Sequence, residues 1–184
     1  MTQDVRIALS CPDRTGLLSA VTGRLFDLGA DIGDTSFAVL GEAAEFAAVA
    51  RLPDALTADE IHTALTAIPE LAGAEITVAP FALGATHAEH GQVTHRVEVR
   101  GTDRPGLVAR LTEAFSDYGA NIVRMDCERV RGTAAEDYVV RFEAWLPAAR
   151  AETCLAAVDN TAQSLGLLCT AEPVWRAEFR RKNA

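Results

Sequence analysis

Cys11-Pro12-Asp13-Arg14-Thr15-Gly16-Leu17-Leu18 returns later in the chain as Gly101-Thr102-Asp103-Arg104-Pro105-Gly106-Leu107-Val108, at a spacing of 90 residues. The echo runs on past the turn. Leu17, Leu18, Val21, Leu25 and Leu28 match Leu107, Val108, Leu111, Phe115 and Tyr118, and both runs end in Gly-Ala, at Gly29-Ala30 and Gly119-Ala120. These apolar positions fall on one stripe of a helix. A repeat of this extent predicts two similar small domains, each opening with the same loop and helix. Such a chain presents paired binding surfaces rather than one deep catalytic cleft.

Working outward from the repeated turn, each half reads β-α-β-β-α-β. Val5-Arg6-Ile7-Ala8-Leu9 alternates as a first strand, and Val97-Glu98-Val99 repeats it. Gly29 and Gly119 sit where left-handed caps end the first helices, and Pro105 suits the first helical position. Second strands are predicted over 31–40 and 121–130. In the latter, Val123, Met125 and Cys127 share one face, and Arg124, Asp126 and Glu128 the other. Hairpins at Gly41-Glu42 and Gly132-Thr133 lead to third strands over 44–52 and 137–146.

Thr57-Ala58-Asp59-Glu60 is a capping box for a second helix, and its partner follows Pro147 and stops at Gly166. Last strands fall near 74–79 and 167–172. One apolar stripe per helix and one apolar face per sheet predict an α+β fold with both helices on one side of an antiparallel sheet, the ferredoxin-like arrangement. The expected boundaries are 1–80 for the first domain, 81–91 for a linker, 92–176 for the second domain and 177–184 for a C-terminal tail.

Charge and composition narrow the function. The net charge is −9 and the hydrophobic content 49%. An acidic surface opposes a phosphate backbone, so no direct nucleic-acid binding is expected. The basic cluster Arg176, Arg180, Arg181 and Lys182 reads as a solvated tail. Met1-Thr2-Gln3-Asp4 lacks the basic start of a signal peptide, and no apolar run reaches membrane-spanning length, so a cytoplasmic protein free of membrane is expected. The cysteines Cys11, Cys127, Cys154 and Cys169 form no CxxC pair and read as free thiols, Cys11 lying close enough to a helix start for its reactivity to be in question.

The repeated turn carries the chemistry. Gly16 and Gly106 stand just before the first amides of a helix, whose positive end suits a carboxylate. Asp13 and Asp103 are placed to accept from an ammonium group. A free amino acid satisfies both ends. The same residues also fit a purely structural turn, with Asp as a cap, Gly as geometry and Arg14 and Arg104 solvated.

Asp103-Arg104-Pro105-Gly106-Leu107-Val108, followed by Gly119-Ala120-Asn121-Ile122 within a β-α-β-β-α-β unit, resembles the ACT domain. Both halves share the resemblance, and the whole is similar to the glycine cleavage system transcriptional repressor group. The resemblance implies a regulatory protein that binds an amino acid or similar metabolite at domain interfaces. The ligand would lie between the first loop of one unit and the second strand of a neighbour. By position, the ligand residues are Asp103, Arg104, Pro105, Gly106, Leu107, Asn121 and Ile122, with Asp13, Arg14, Gly16, Leu17, Asp31 and Ile32 in the first copy. There Thr15 replaces the proline and Asp31 the asparagine; an ionised Asp31 accepts but cannot donate, which favours the second site.

No catalytic residue and no cofactor is predicted. His87, His90 and His95 are loosely spaced in a connector and lack partners for a metal site. Ser10, Ser19 and Ser36 have no nucleophile elbow, and no phosphate-binding glycine motif is present. The expectation is a homodimeric, non-catalytic sensor acting through a protein partner, a transcription factor or an enzyme, with transcriptional regulation of glycine metabolism as one setting. The alternative is a regulatory subunit of a metabolic enzyme on another chain. An enzyme with a composite site lacks a nucleophile and base.

Overall fold

Val5, Ile7, Leu9 and Cys11 alternate along a strand and bury on one side, which sets the inner face of a sheet. A computed structural model of the chain describes residues 3–84, 88–131 and 136–174. His87, the Gly132-Thr133 hairpin and the basic tail lie outside the described residues. The chain divides into two units, Met1–Ala85 and Thr86–Ala184.

The first unit runs β1 (Gln3–Pro12), α1 (Leu17–Asp27), β2 (Asp31–Leu40), β3 (Ala43–Leu52), α2 (Ala58–Thr66) and β4 (Glu75–Pro80). The second repeats it with β5 (His95–Gly101), α3 (Leu107–Asp117), β6 (Asn121–Arg131), β7 (Glu136–Trp145), α4 (Ala151–Ser164) and β8 (Leu168–Pro173). The sheets have strand orders β2-β3-β1-β4 and β6-β7-β5-β8, antiparallel throughout.

Each helix lays one stripe on its sheet. Leu17, Val21 and Leu25 of α1 meet Phe46, Ala48 and Ala50 of β3 in one core. Leu111 and Phe115 of α3 and Cys154, Val158 and Ala162 of α4 build the other. There the Phe115 and Phe142 rings lie 5.1 Å apart between centroids in a tilted pair. The capping box at α2 is closed both ways, since Thr57 Oγ1 accepts from Glu60 N and Glu60 accepts from Thr57 N at 2.8 Å. These hydrogen bonds, the backbone one first, hold the Glu60 carboxyl below its ordinary range.

Two local expectations change. A bulge between Ile122 and Arg124 puts Ile122, opposite Ala144, on the helix side with Met125 and Cys127, so Val123 is the extra residue and not part of the inward row. Pro105 is not the first helical residue. It precedes Gly106, which is itself the N-cap of α3 in a left-handed conformation.

Candidate functional site

The turn before each helix has a defined geometry. Leu107 N donates to Arg104 O at 3.2 Å, with Gly106 at φ 80° and ψ 2°. That is a type II turn, with proline at its second position and glycine at its third. The first unit repeats it: Leu17 N donates to Arg14 O at 3.3 Å and Gly16 has φ 88° and ψ −7°. A residue with a Cβ is strained in this conformation, which explains both glycines. A Cβ built on either would meet nothing within 4 Å, so the space in front of the turn is open.

Neither helix receives a side-chain cap. Leu107 N is spent on the turn, which leaves Val108 N and Ala109 N as first-turn donors without an intrahelical acceptor. Asp103 does not cap them. Its carboxylate accepts from Arg129 Nη2 at 2.8 Å instead. Val39 stands at the position of Arg129 in the first unit, and Asp13 has no ion pair among the described residues; its amide donates to Glu42 O at 2.8 Å.

The two turn arginines act within their own units. Arg14 Nη1 donates to Pro69 O at 3.4 Å, and Arg104 Nη2 lies over Gly166, 3.6 Å from where a Cβ would stand. Each reaches from the turn to the segment that follows its unit's second helix. Leu17 and Leu107 are buried in the cores, so only their backbones can face a ligand. Ile32 and Ile122 are half-buried against the same cores.

Asn121 and the turn stand at opposite ends of the second unit. Asn121 pairs with Trp145, while Arg129, which holds Asp103, pairs with Tyr138 beside Gly101. The eight residue steps from Asn121 to Arg129 span roughly 25 Å of strand. One unit therefore brings Asp103, Arg104, Pro105, Gly106 and Leu107 together but not Asn121 and Ile122. Asn121 Nδ2 donates to His90 O at 2.7 Å. Asp31 lies opposite Arg51, which is paired with Asp4 at 3.0 Å.

Arg129 was not among the residues expected at the site. Its signal was a charge out of phase with Arg124, Asp126 and Glu128, on the row that Met125 and Cys127 turn toward the helices. Tyr138 lies across from it, its hydroxyl pushed up to about 12, first by a hydrogen bond with Cys127 and then by burial. Burial is the leading influence at the thiols of Cys11, Cys154 and Cys169 and raises all three, Cys169 to about 11. His95 is half-buried, its Nδ1 is 3.0 Å from Thr94 Oγ1, and burial lowers its pKa. Among the described residues no cluster of three ligand-type side chains is placed to hold a metal. No helix among them is long and apolar enough to cross a membrane.

A groove of about 600 Å³ lies elsewhere, on the helix-free face of the second sheet. Ion pairs fill its floor. Arg96 meets Glu143 at 3.0 Å, and Arg141 meets Glu98 at 2.9 Å, Asp126 at 3.3 Å and also Glu128. None of the turn residues lines it.

Residues 95–144 match the family model of the ACT domain. No curated protein matches the chain. Among solved structures, an unknown protein from Galdieria sulphuraria is similar at 20% identity and TM-score 0.76, over 95% of this chain and 100% of that one. A candidate glycine cleavage system transcriptional repressor is similar at 14% identity and TM-score 0.68, over 96% and 99% of the two chains. At these identities the likeness is one of fold. Joined to the repeated topology of four strands and two α-helices per unit, it makes this chain a tandem pair of ferredoxin-like domains, the second of which matches the ACT domain model over residues 95–144.

Proposed function

We propose that the chain is a non-catalytic regulatory protein that binds an amino acid or a similar small metabolite and acts through a protein partner. The observation that carries this reading is the turn of the second unit, where Asp103, paired with Arg129, precedes the uncapped start of α3 in the same loop. An α-amino acid offers a carboxylate to the amides and an ammonium to Asp103. Because Asn121 stands at the far end of its own unit, the ligand takes the turn from one domain and the second-strand entry from a neighbouring one. The chain acts as a homodimer.

The second site is the stronger, since the first offers Asp31 where the second has Asn121 and Val39 where the second has Arg129. A net charge of −9 favours a protein partner over DNA. Similarity in fold to a candidate glycine cleavage repressor supports transcriptional regulation of amino-acid metabolism, glycine included, as the setting.

Calorimetry with the twenty amino acids tests the reading, and a saturable ligand is the expected result. Gly106→Val should abolish binding and Asn121→Ala should weaken it by roughly 1–3 kcal/mol, the range for unpairing charge-assisted hydrogen bonds. Gly16→Val and Asp31→Ala should matter less. Binding that survives Gly106→Val in a folded protein would make the turn structural only.

A further inference from the structure

The helix-free faces of the two sheets are built differently on one fold. In the second unit the charges of the two central strands are answered within the face, Arg96 by Glu143, Arg100 by Asp137 and Arg141 by Glu98. In the first unit the face is uncharged at its middle. Ala8 on β1 lies between Ala47 on β3 and Thr77 on β4. One row toward the start of β1, Arg6 lies between Val49 and Ala79; one row toward its end, Ser10 lies between Glu45 and Glu75. Arg6 and Glu75 have no ion pair among the described residues. Along β3 the outward row runs Ala43, Glu45, Ala47, Val49 and Arg51, with Arg51 paired to Asp4 at 3.0 Å, so an apolar middle is bounded by Glu45 on one side and Arg51 on the other.

We propose that this face is the contact between two copies of the chain, stacked face to face about a two-fold axis that lies between the sheets, perpendicular to the strands, over the Ala8 row. The inference rests on the homodimer named above and assigns its surface. The two-fold carries the Arg6 row of one copy onto the Ser10 row of the other. Each Arg6 guanidinium then stands between Glu45 and Glu75 of the second copy, and the reverse pairing follows from the symmetry. Small side chains at the axis let the sheets approach without removing a charge from water. Four strands by six residues is roughly 400 Å² per copy. That is about half of one partner's share in a standard interface, so the association is weak and varies with concentration.

Sedimentation of the full chain from low micromolar to several hundred micromolar protein tests the assignment. The wild type should pass from monomer to dimer, and salt should shift the transition upward. Ala47→Arg should raise the dissociation constant at least tenfold. Arg6→Glu should weaken the dimer too, and Arg6→Glu combined with Glu75→Arg should recover part of the loss. Circular dichroism confirms that each variant is folded, and the exposed Arg6 substitution guards against a fold defect in Ala47→Arg. A wild type that stays monomeric throughout overturns both the homodimer and this surface. A dimer that Ala47→Arg and Arg6→Glu leave unchanged overturns the surface alone.

Discussion

Single glycines and their neighbours separate structure from function in the two turns. Gly16 and Gly106 have nearly equal φ, 88° and 80°, and equally open surroundings. Valine at either therefore carries similar backbone strain, and any difference between the two variants in ligand binding reports the site and not the strain. Gly101 poses a different problem. A Cβ there would come within 2.6 Å of Leu167 Cδ2, whereas Cys11 fills the matching place in the first unit. The register explains the exchange: Gly101 adjoins Leu167, and Cys11 adjoins Ala74, so a small residue faces a large one in each unit. Gly101→Ala should destabilise by about 1–3 kcal/mol through overpacking. Leu167→Ala alone should lose about 2–5 kcal/mol by leaving a cavity. The double variant should lose clearly less than the sum in urea titrations, because it approaches the pairing in the first unit. Strict additivity would show that the two residues do not compensate. Part of the loss should persist, since the backbone at φ 156° strains any Cβ.

Elements were legible in the chain wherever an apolar period met a specific end signal. The capping box at Thr57, the stripe from Leu107 to Phe115 and the caps at Gly29 and Gly119 all stand where pattern and chemistry agree. The bulge at Val123 was hidden because alternation cannot reveal an extra residue; only the register against β7 does. Proline suits both a first helical position and the second position of a type II turn, and Pro105 takes the second, two residues before the first helical residue, Leu107. The opposed ends of the candidate site follow from the β-α-β order, because α3 runs back from the turn and β6 therefore starts at the far end, as a ligand shared between neighbouring units requires. Strand β8 yields a pH prediction. Cys169 is raised from 9.0 to about 11, mainly by burial with Asp159 adding to it. A raised acid is neutral in the fold, so its stabilising contribution is complete below pH 9 and is lost as pH rises through the folded value. Melting temperature should therefore fall between about pH 9 and pH 11, and Cys169→Ala should reduce that slope. An unchanged slope in the variant would assign the alkaline loss to another group, with Tyr138, raised to about 12, the next to test.

At the scale of the whole molecule, charge decides between touching DNA and touching a protein. The net charge is −9, with 17 basic against 26 acidic side chains. Non-specific DNA affinity comes mostly from releasing counterions as arginines and lysines neutralise phosphates, so an acidic chain needs a local basic patch to compensate. Six of the described arginines are already paired. Arg51, Arg96, Arg100, Arg124, Arg129 and Arg141 each lie against a carboxylate, and every such pair cancels the field a phosphate would feel. Freeing those arginines for DNA would leave their aspartates and glutamates facing the backbone. The purified chain should accordingly give no sequence-specific mobility shift at physiological salt, with or without the amino acid found by calorimetry. The same lane should shift once the DNA-binding partner is added, if the chain acts by contacting it. A specific, salt-resistant shift by the chain alone would contradict the charge argument and place the basic cluster at Arg176, Arg180, Arg181 and Lys182 on the DNA. A variant with those four residues changed to serine would then decide between that cluster and the paired arginines.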